Sequence, residues 1–341
     1  MDLLVVGECL SNKDEGQPFH DGNGKMFKAM LRQVGIDPRQ TTFLNVFPTT
    51  PPSGGNVQGF FGPKATAVPH IRRLKNKRYI QKQHWHHVLR IRELVAHHKP
   101  NLVLAVGEAA LWALTKEPSI DNARGRVCYG NSAIPEQKVL PVYSPRTIQM
   151  EYFKRPVLLA DLNKARRELE FPEICRPQHF IHVEPTIEDL EEFFTKYIVG
   201  AKELSCDIET KPGGHITCVG FAPDSSRAIV VPFFSNKSPD GNYWPTAKKE
   251  LLAWQWVQRV LHYGHAVFGQ NFQYDMSQLW RYNGIDCPHW SDDTMLLHHA
   301  LQPEMLKGLG FLASIYTDEP AWKFMHKKAG KDKSGKKDDN E

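Results

Sequence analysis

The chain lacks a Cys-x-x-Cys pair, an internal repeat, and any apolar run near the ~20 residues that cross a membrane. Its six cysteines (Cys9, Cys128, Cys175, Cys206, Cys218, Cys287) are scattered over 341 residues. That excludes a disulfide-stapled secreted scaffold and suits buried thiols in a reducing compartment. No basic-then-apolar leader opens the chain; Met1-Asp2 runs straight into an apolar stretch, so a cytoplasmic protein without a membrane partner is expected. Acids are scarce in one region. Between 70 and 99 there are nine Lys or Arg against the single acid Glu93, and 323–341 holds seven Lys, within a net charge of +5. Basic stripes attract polyanions, nucleic acid first. Arg72, Arg73, Lys75, Lys77 and Arg78 are therefore expected to contact DNA phosphates. The tail 327–341 is charged and apolar-poor and reads as disordered.

With 41% hydrophobic residues, a chain of this length predicts two packed domains. In the first half, apolar strands alternate with helical stretches. Strands are expected at Leu3–Glu8, Thr42–Phe47, Asn101–Gly107 and Lys138–Tyr143, and helices near 24–34, 79–98, 108–115 and 156–169. Residues 146–152 read as a loop or turn. Such alternation predicts an α/β fold with a parallel sheet covered by helices on both faces. His84 and His87 share a helix face, but no Cys or acid is spaced to complete a zinc set, and the Lys and Arg around them would repel a cation. Residues 170–178 carry two prolines and no periodicity, and read as a linker between a domain at 1–169 and one at 179–326.

Several motifs of the first half sit at informative spacings. They are Gly7-Glu8-Cys9-Leu10-Ser11 after the first strand, Gly16-Gln-Pro-Phe19, Asn45-Val46 before Pro51-Pro52, the strand from Pro100 to Gly107, and Arg124-Gly125. Over 1–169 this layout resembles the uracil-DNA glycosylase superfamily, nearest to its family 4. The resemblance implies a base pocket. Phe19 would stack on a base flipped out of the helix, and Asn45 would offer donor and acceptor to a uracil edge. A carboxylate of the first loop, Glu8, Asp14 or Glu15, would hold the attacking water. The sequence also departs from the family. Ser144 of Tyr143-Ser144-Pro145 stands where the family has a histidine, so the imidazole that would stabilise the departing base is missing. The first loop lacks Pro-Gly, and Thr49 replaces a cluster cysteine, so no iron–sulfur cluster is expected.

In the second half, Leu204-Ser-Cys-Asp207-Ile-Glu209 ends an apolar strand with two carboxylates one residue apart. In a strand they point to one face. Asp-x-Glu alone is weak in a chain with 38 acids, but its context is specific. A Gly213-Gly214 turn, two more strands (215–221 and 227–234), a helix near 247–262 with Trp254, Val257, Val260 and Leu261 as its expected buried stripe, and the strand 265–269 follow. Next comes Asn271-Phe-Gln-Tyr-Asp275, in which Asn271 and Asp275 are four apart on one helix face. The order is ribonuclease-H-like. Residues 178–341 resemble the proofreading 3′–5′ exonuclease domain of family A DNA polymerases. The resemblance implies that Asp207, Glu209 and Asp275 bind Mg²⁺ or Mn²⁺ and that Asn271 assists. Two such ions about 3.5–4 Å apart need several carboxylate oxygens from one small region. Asp293 reads as a helix cap rather than a ligand. The family's third motif, a Tyr four residues before an Asp, is missing: Tyr316 is followed by Pro320. The expectation is the N-terminal part of a phage-type family A polymerase, in the cytoplasm of an infected bacterial host. It would act on single-stranded 3′ ends or uracil-containing DNA, with a downstream polymerase segment as partner. The alternative is a non-catalytic module that holds DNA or scans it for uracil.

Overall fold

The computed structural model describes residues 2–52, 56–74, 78–117 and 119–319. Lys75, Lys77, the Gly54-Gly55 pair and the tail 327–341 lie outside these. The chain divides into two compact units, Met1–Arg176 together with the segment from Gly310 onward, and Pro177–Leu309. Among the described residues no helix is long and apolar enough to cross a membrane.

The first unit is built on a five-stranded sheet. Its order is Thr42–Phe47, Leu3–Cys9, Leu102–Val106, Lys138–Val142, Cys128–Tyr129. The first four strands are parallel and the short last one is an antiparallel edge. Leu4, Val5, Val6 and Leu102–Ala105 are fully buried, because helices cover both faces; this is why these strands read as unbroken apolar runs. Helix Gly22–Gln33 starts where the Asp21 carboxylate accepts the Gly24 N–H, and it turns Phe27, Met30 and Leu31 inward. Each such side chain contributes about 1.5–3 kcal/mol when buried. Helices Trp85–His98 and Arg155–Glu168 lie close to expectation. The stretch read as a loop after Tyr143 is instead a helix, Pro145–Met150. Ser144 Oγ caps it by accepting the Thr147 N–H, and Pro145 occupies its first turn.

The second unit holds a six-stranded sheet. Its order is Trp290–Asp293, Ala266–Gly269, Glu203–Thr210, Ile216–Ala222, Arg227–Pro232, Phe180–His182. The three-stranded antiparallel meander lies at its centre, with parallel partners outside it. This is the ribonuclease-H-like arrangement. In Glu203–Thr210, Leu204, Cys206 and Ile208 point into the core while Asp207 and Glu209 face outward. Helix Ala247–Leu261 covers the core with Ala253, Trp256, Val257, Val260 and Leu261. The sequence pointed to Trp254 in that stripe. Trp254 instead lies flat on Phe233 at 3.5 Å, and Trp256 takes the buried place. Strand Phe180–His182 was not expected so close to the linker.

The sequence placed the stretch up to 326 in the second domain. In the structure the helix Leu309–Tyr316 enters the first unit from Gly310 onward. There Arg124, 1% exposed, donates from Nε to Asp161 Oδ2 (2.8 Å) and from Nη1 to Ser314 Oγ (3.0 Å). Lys164 Nζ donates to the carbonyls of Gly125 (2.8 Å) and Thr317 (2.6 Å), and Arg126 Nη2 to that of Gly310 (2.5 Å). Buried cations need such acceptors, and the returning helix supplies several. Residues just after 169 are also held by the first unit. Lys138 Nζ lies 3.8 Å from the Phe171 ring centroid and donates to the Glu173 carbonyl.

Candidate functional site

The parallel strands of the first unit end at one cleft, as expected for sites on such sheets. Its volume is about 800 Å³, and Glu8, Phe19, Asn45 and Ser144 all line it. Gly7 makes room at its base: a Cβ there would lie 2.4 Å from Asn45 Oδ1 and 2.8 Å from the Phe19 ring. Phe19 adopts φ 61° and is packed between Phe27 and Phe43, with ring centroids at 5.5 and 5.3 Å. Asn45 is buried, and Arg90 Nη2 donates to its carbonyl at 2.7 Å, fixing the strand end. An aromatic ring and a buried amide therefore meet across a glycine.

The three acids of the first loop separate clearly. Asp14 accepts the backbone N–H groups of Ser11, His20 and Asp21 at 2.6–2.9 Å, so it organises the loop. Glu15 is exposed at φ 50°. Glu8 reaches into the cleft and accepts the Ala109 N–H at 2.9 Å. Burial raises its pKa, while that hydrogen bond and the charge of Arg146 oppose the rise. Gly107, at φ 96°, leaves the Glu8 side chain its place; a Cβ there would lie 2.6 Å from the carboxyl carbon. Ser144 is occupied as a cap, with Thr147 Oγ1 3.0 Å from its oxygen. Arg146 also lines the cleft. The sequence reading passed over it, because 146–152 lacks the periodicity of a helix.

Of the basic cluster, Arg73 and Arg78 are exposed. Arg72 turns back to donate to the Lys116 carbonyl, so part of the cluster serves the fold. The histidines pack on each other and on aromatics. His87 stands 3.9 Å from His86 between ring centroids and edge-on to Phe47. Burial first, then the cations of His86, His84 and Arg90, lower its pKa to about 4. The unfolded chain takes up this proton near pH 6.5, the folded chain only near 4. Stability from His87 is therefore complete above the first value and lost as pH falls toward the second. His87→Gln should flatten the acid limb of stability over that window in urea titrations. An unaltered limb contradicts this assignment.

In the second unit, Asp207 and Glu209 stand exposed on one strand face. Asp275 is buried in the first turn of helix Phe272–Asn283, and its Oδ1 accepts the Ile208 N–H at 2.8 Å. Burial, with the charges of Asp207 and Asp293, raises its pKa to about 7. Asn271 adopts φ 57° and precedes that helix. Asp293 accepts the N–H groups of Asn271, Phe272 and Met295 at 2.8–2.9 Å, which is a cap's role. Among the described residues, no group of three or more His, Cys, Asp or Glu stands close enough to hold a metal ion. As arranged, Asp207, Glu209 and Asp275 form no closed Mg²⁺ or Mn²⁺ cage, and one Asp275 oxygen already accepts the Ile208 N–H.

Residues 1–169 match the sequence model of the uracil DNA glycosylase superfamily. Solved structures similar to part of the chain include the Nibbler EXO domain of Aedes aegypti, at 10% identity and TM-score 0.27. It covers 36% of this chain and 57% of its own. The EXD2 exonuclease domain soaked in Mg, at 15% identity and TM-score 0.27, covers 40% of this chain and 68% of its own. NrnC of Brucella melitensis with bound Mg²⁺, at 12% identity and TM-score 0.27, covers 43% and 64%. This chain therefore spans less than two thirds of the Nibbler and NrnC chains. No curated protein matches it.

Proposed function

We propose that the protein acts on DNA and that its first unit takes a base out of the stack into the Phe19–Asn45 cleft. The observation that carries this is the convergence of Glu8, Phe19, Asn45 and Ser144, far apart in sequence, on one cleft at the ends of the parallel strands. Phe19 stacks on the base, Asn45 reads its edge and Glu8 holds a water facing the sugar. Excision by this route is hydrolysis. The water oxygen bonds to the sugar carbon as the C–N bond breaks, the electron pair leaves with the base, and the water proton passes by way of Glu8 to the base. Ser144 carries no charge for that step, so excision is slow or stops at binding. Incubation with a uracil-containing oligonucleotide tests the reading, scored for both retention and abasic product. Binding indifferent to uracil contradicts it.

The exposed arginines of the first unit support phosphate binding. Changing Arg72, Arg73, Lys75, Lys77 and Arg78 to Ala should weaken binding to any DNA sequence. It should also flatten the salt dependence by up to ~0.9 for each phosphate no longer neutralised. An unchanged slope would make the cluster an idle surface.

The second unit we read as the 3′-end module of a phage-type family A polymerase assembly. The Asp207–Glu209 face and the motif order support this. As a consequence of the incomplete acid set, the chain should shorten 3′ ends in Mn²⁺ very slowly, since loss of one member of a catalytic unit commonly costs several orders of magnitude. Asp207→Ala should remove what remains. Full-speed degradation insensitive to Asp207→Ala overturns this part.

A further inference from the structure

Breaking an N-glycosidic bond leaves negative charge on the departing ring, and a site that accelerates the step sets positive charge where that anion forms. The carboxylates lining the cleft are Glu8, Asp14, Asp21 and Glu108, and the Lys and Arg side chains there are Lys13 and Arg146. The acids alone would repel a departing anion. Lys13 and Arg146 are both exposed, Lys13 on the polar loop. Arg146 follows Ser144 and Pro145 into the first turn of helix Pro145–Met150, which presents it on the cleft wall.

From this placement we propose that Arg146 receives the anionic nucleobase, supplying the cation that Ser144 does not. The inference rests on the base-pocket reading and deepens it. The reach of Arg146 supports it. Its charge acts on Glu8 and on Cys9, both at the end of the first strand, so the guanidinium lies within electrostatic range of the cleft interior. A guanidinium suits this task. It stays charged at every working pH and offers paired donors to a flat ring carrying oxygen and nitrogen acceptors. The electron pair of the broken bond spreads over the ring, and Arg146 hydrogen-bonds that charge while Asn45 holds the far edge.

The test uses the full chain and two free pyrimidines, which carry no phosphate. Uracil is neutral near neutral pH and 5-nitrouracil is an anion there. Calorimetry should show the wild type binding 5-nitrouracil more tightly than uracil by about tenfold or more, the size of one hydrogen-bonded charge. Arg146→Gln should erase the difference, and Arg146→Lys should keep part of it. A preference that survives Arg146→Gln, or equal binding of both ligands by the wild type, overturns the assignment and leaves the base pocket standing. Binding of neither ligand removes the base-pocket reading itself, and this inference with it.

Discussion

Asp161→Ala should destabilise the first unit by about 3–5 kcal/mol, the usual cost of stripping one partner from a buried ion pair. Arg124 and Asp161 are each 1% exposed, so the guanidinium left behind has little access to solvent. The environment leaves little room for rescue. Gly125, at φ 69°, lies so close that a Cβ there would sit 2.2 Å from Asp161 Oδ1. Lys164 is a second buried cation in the same network. The substitution should also free the returning segment, because Arg124 reaches Ser314 from its other nitrogen. Urea unfolding followed by hydrogen exchange at 311–317 checks both effects. The double change Asp161→Leu with Arg124→Met should recover much of the stability, since apolar groups of similar volume remove the buried charge altogether. A destabilisation below about 1 kcal/mol, in the range of exposed pairs, contradicts the account of this network.

Asn45→Asp should move base preference from uracil toward cytosine by about 10- to 150-fold, the discrimination of one well-formed paired contact. In the proposed pocket the amide of Asn45 would donate to uracil O4 and accept from N3–H. An ionised carboxylate only accepts, and cytosine presents an amino group to it. Burial will raise the new carboxyl's pKa, so the comparison belongs above neutral pH. Competition between oligonucleotides that differ only in U or C provides the readout. Unchanged preference would place base reading elsewhere in the cleft.

Much of the architecture is legible in the sequence because its signals are local. Leu3–Val6 and Leu102–Val106 are continuous apolar runs, and buried parallel strands need nothing more. The alternation of Leu204, Cys206 and Ile208 with Asp207 and Glu209 fixes which side of the strand is acidic. The helix Pro145–Met150 was missed although Ser144-Pro145 is a start signal, because six residues carry too little periodicity to declare a helix. The exchange between Trp254 and Trp256 was not visible either, since both fall near the same stripe and packing against Phe233 decides. The seat of Leu309–Tyr316 lay furthest from reach. Its apolar residues suit any core, and the reason it joins the first unit is a set of buried cations at Arg124, Arg126 and Lys164, far away in sequence. The Asp275 side chain shows the same limit: its spacing from Asn271 was clear, but its commitment to the Ile208 N–H was not.

A base drawn out of the stack into the cleft can be observed directly. A duplex carrying 2-aminopurine beside a single uracil is dim while its bases remain stacked. On binding the wild-type chain its fluorescence should rise, and the rise should be absent or much reduced with Asn45→Ala and with cytosine in place of uracil. No rise at saturating protein, or an equal rise with all three, would contradict the account.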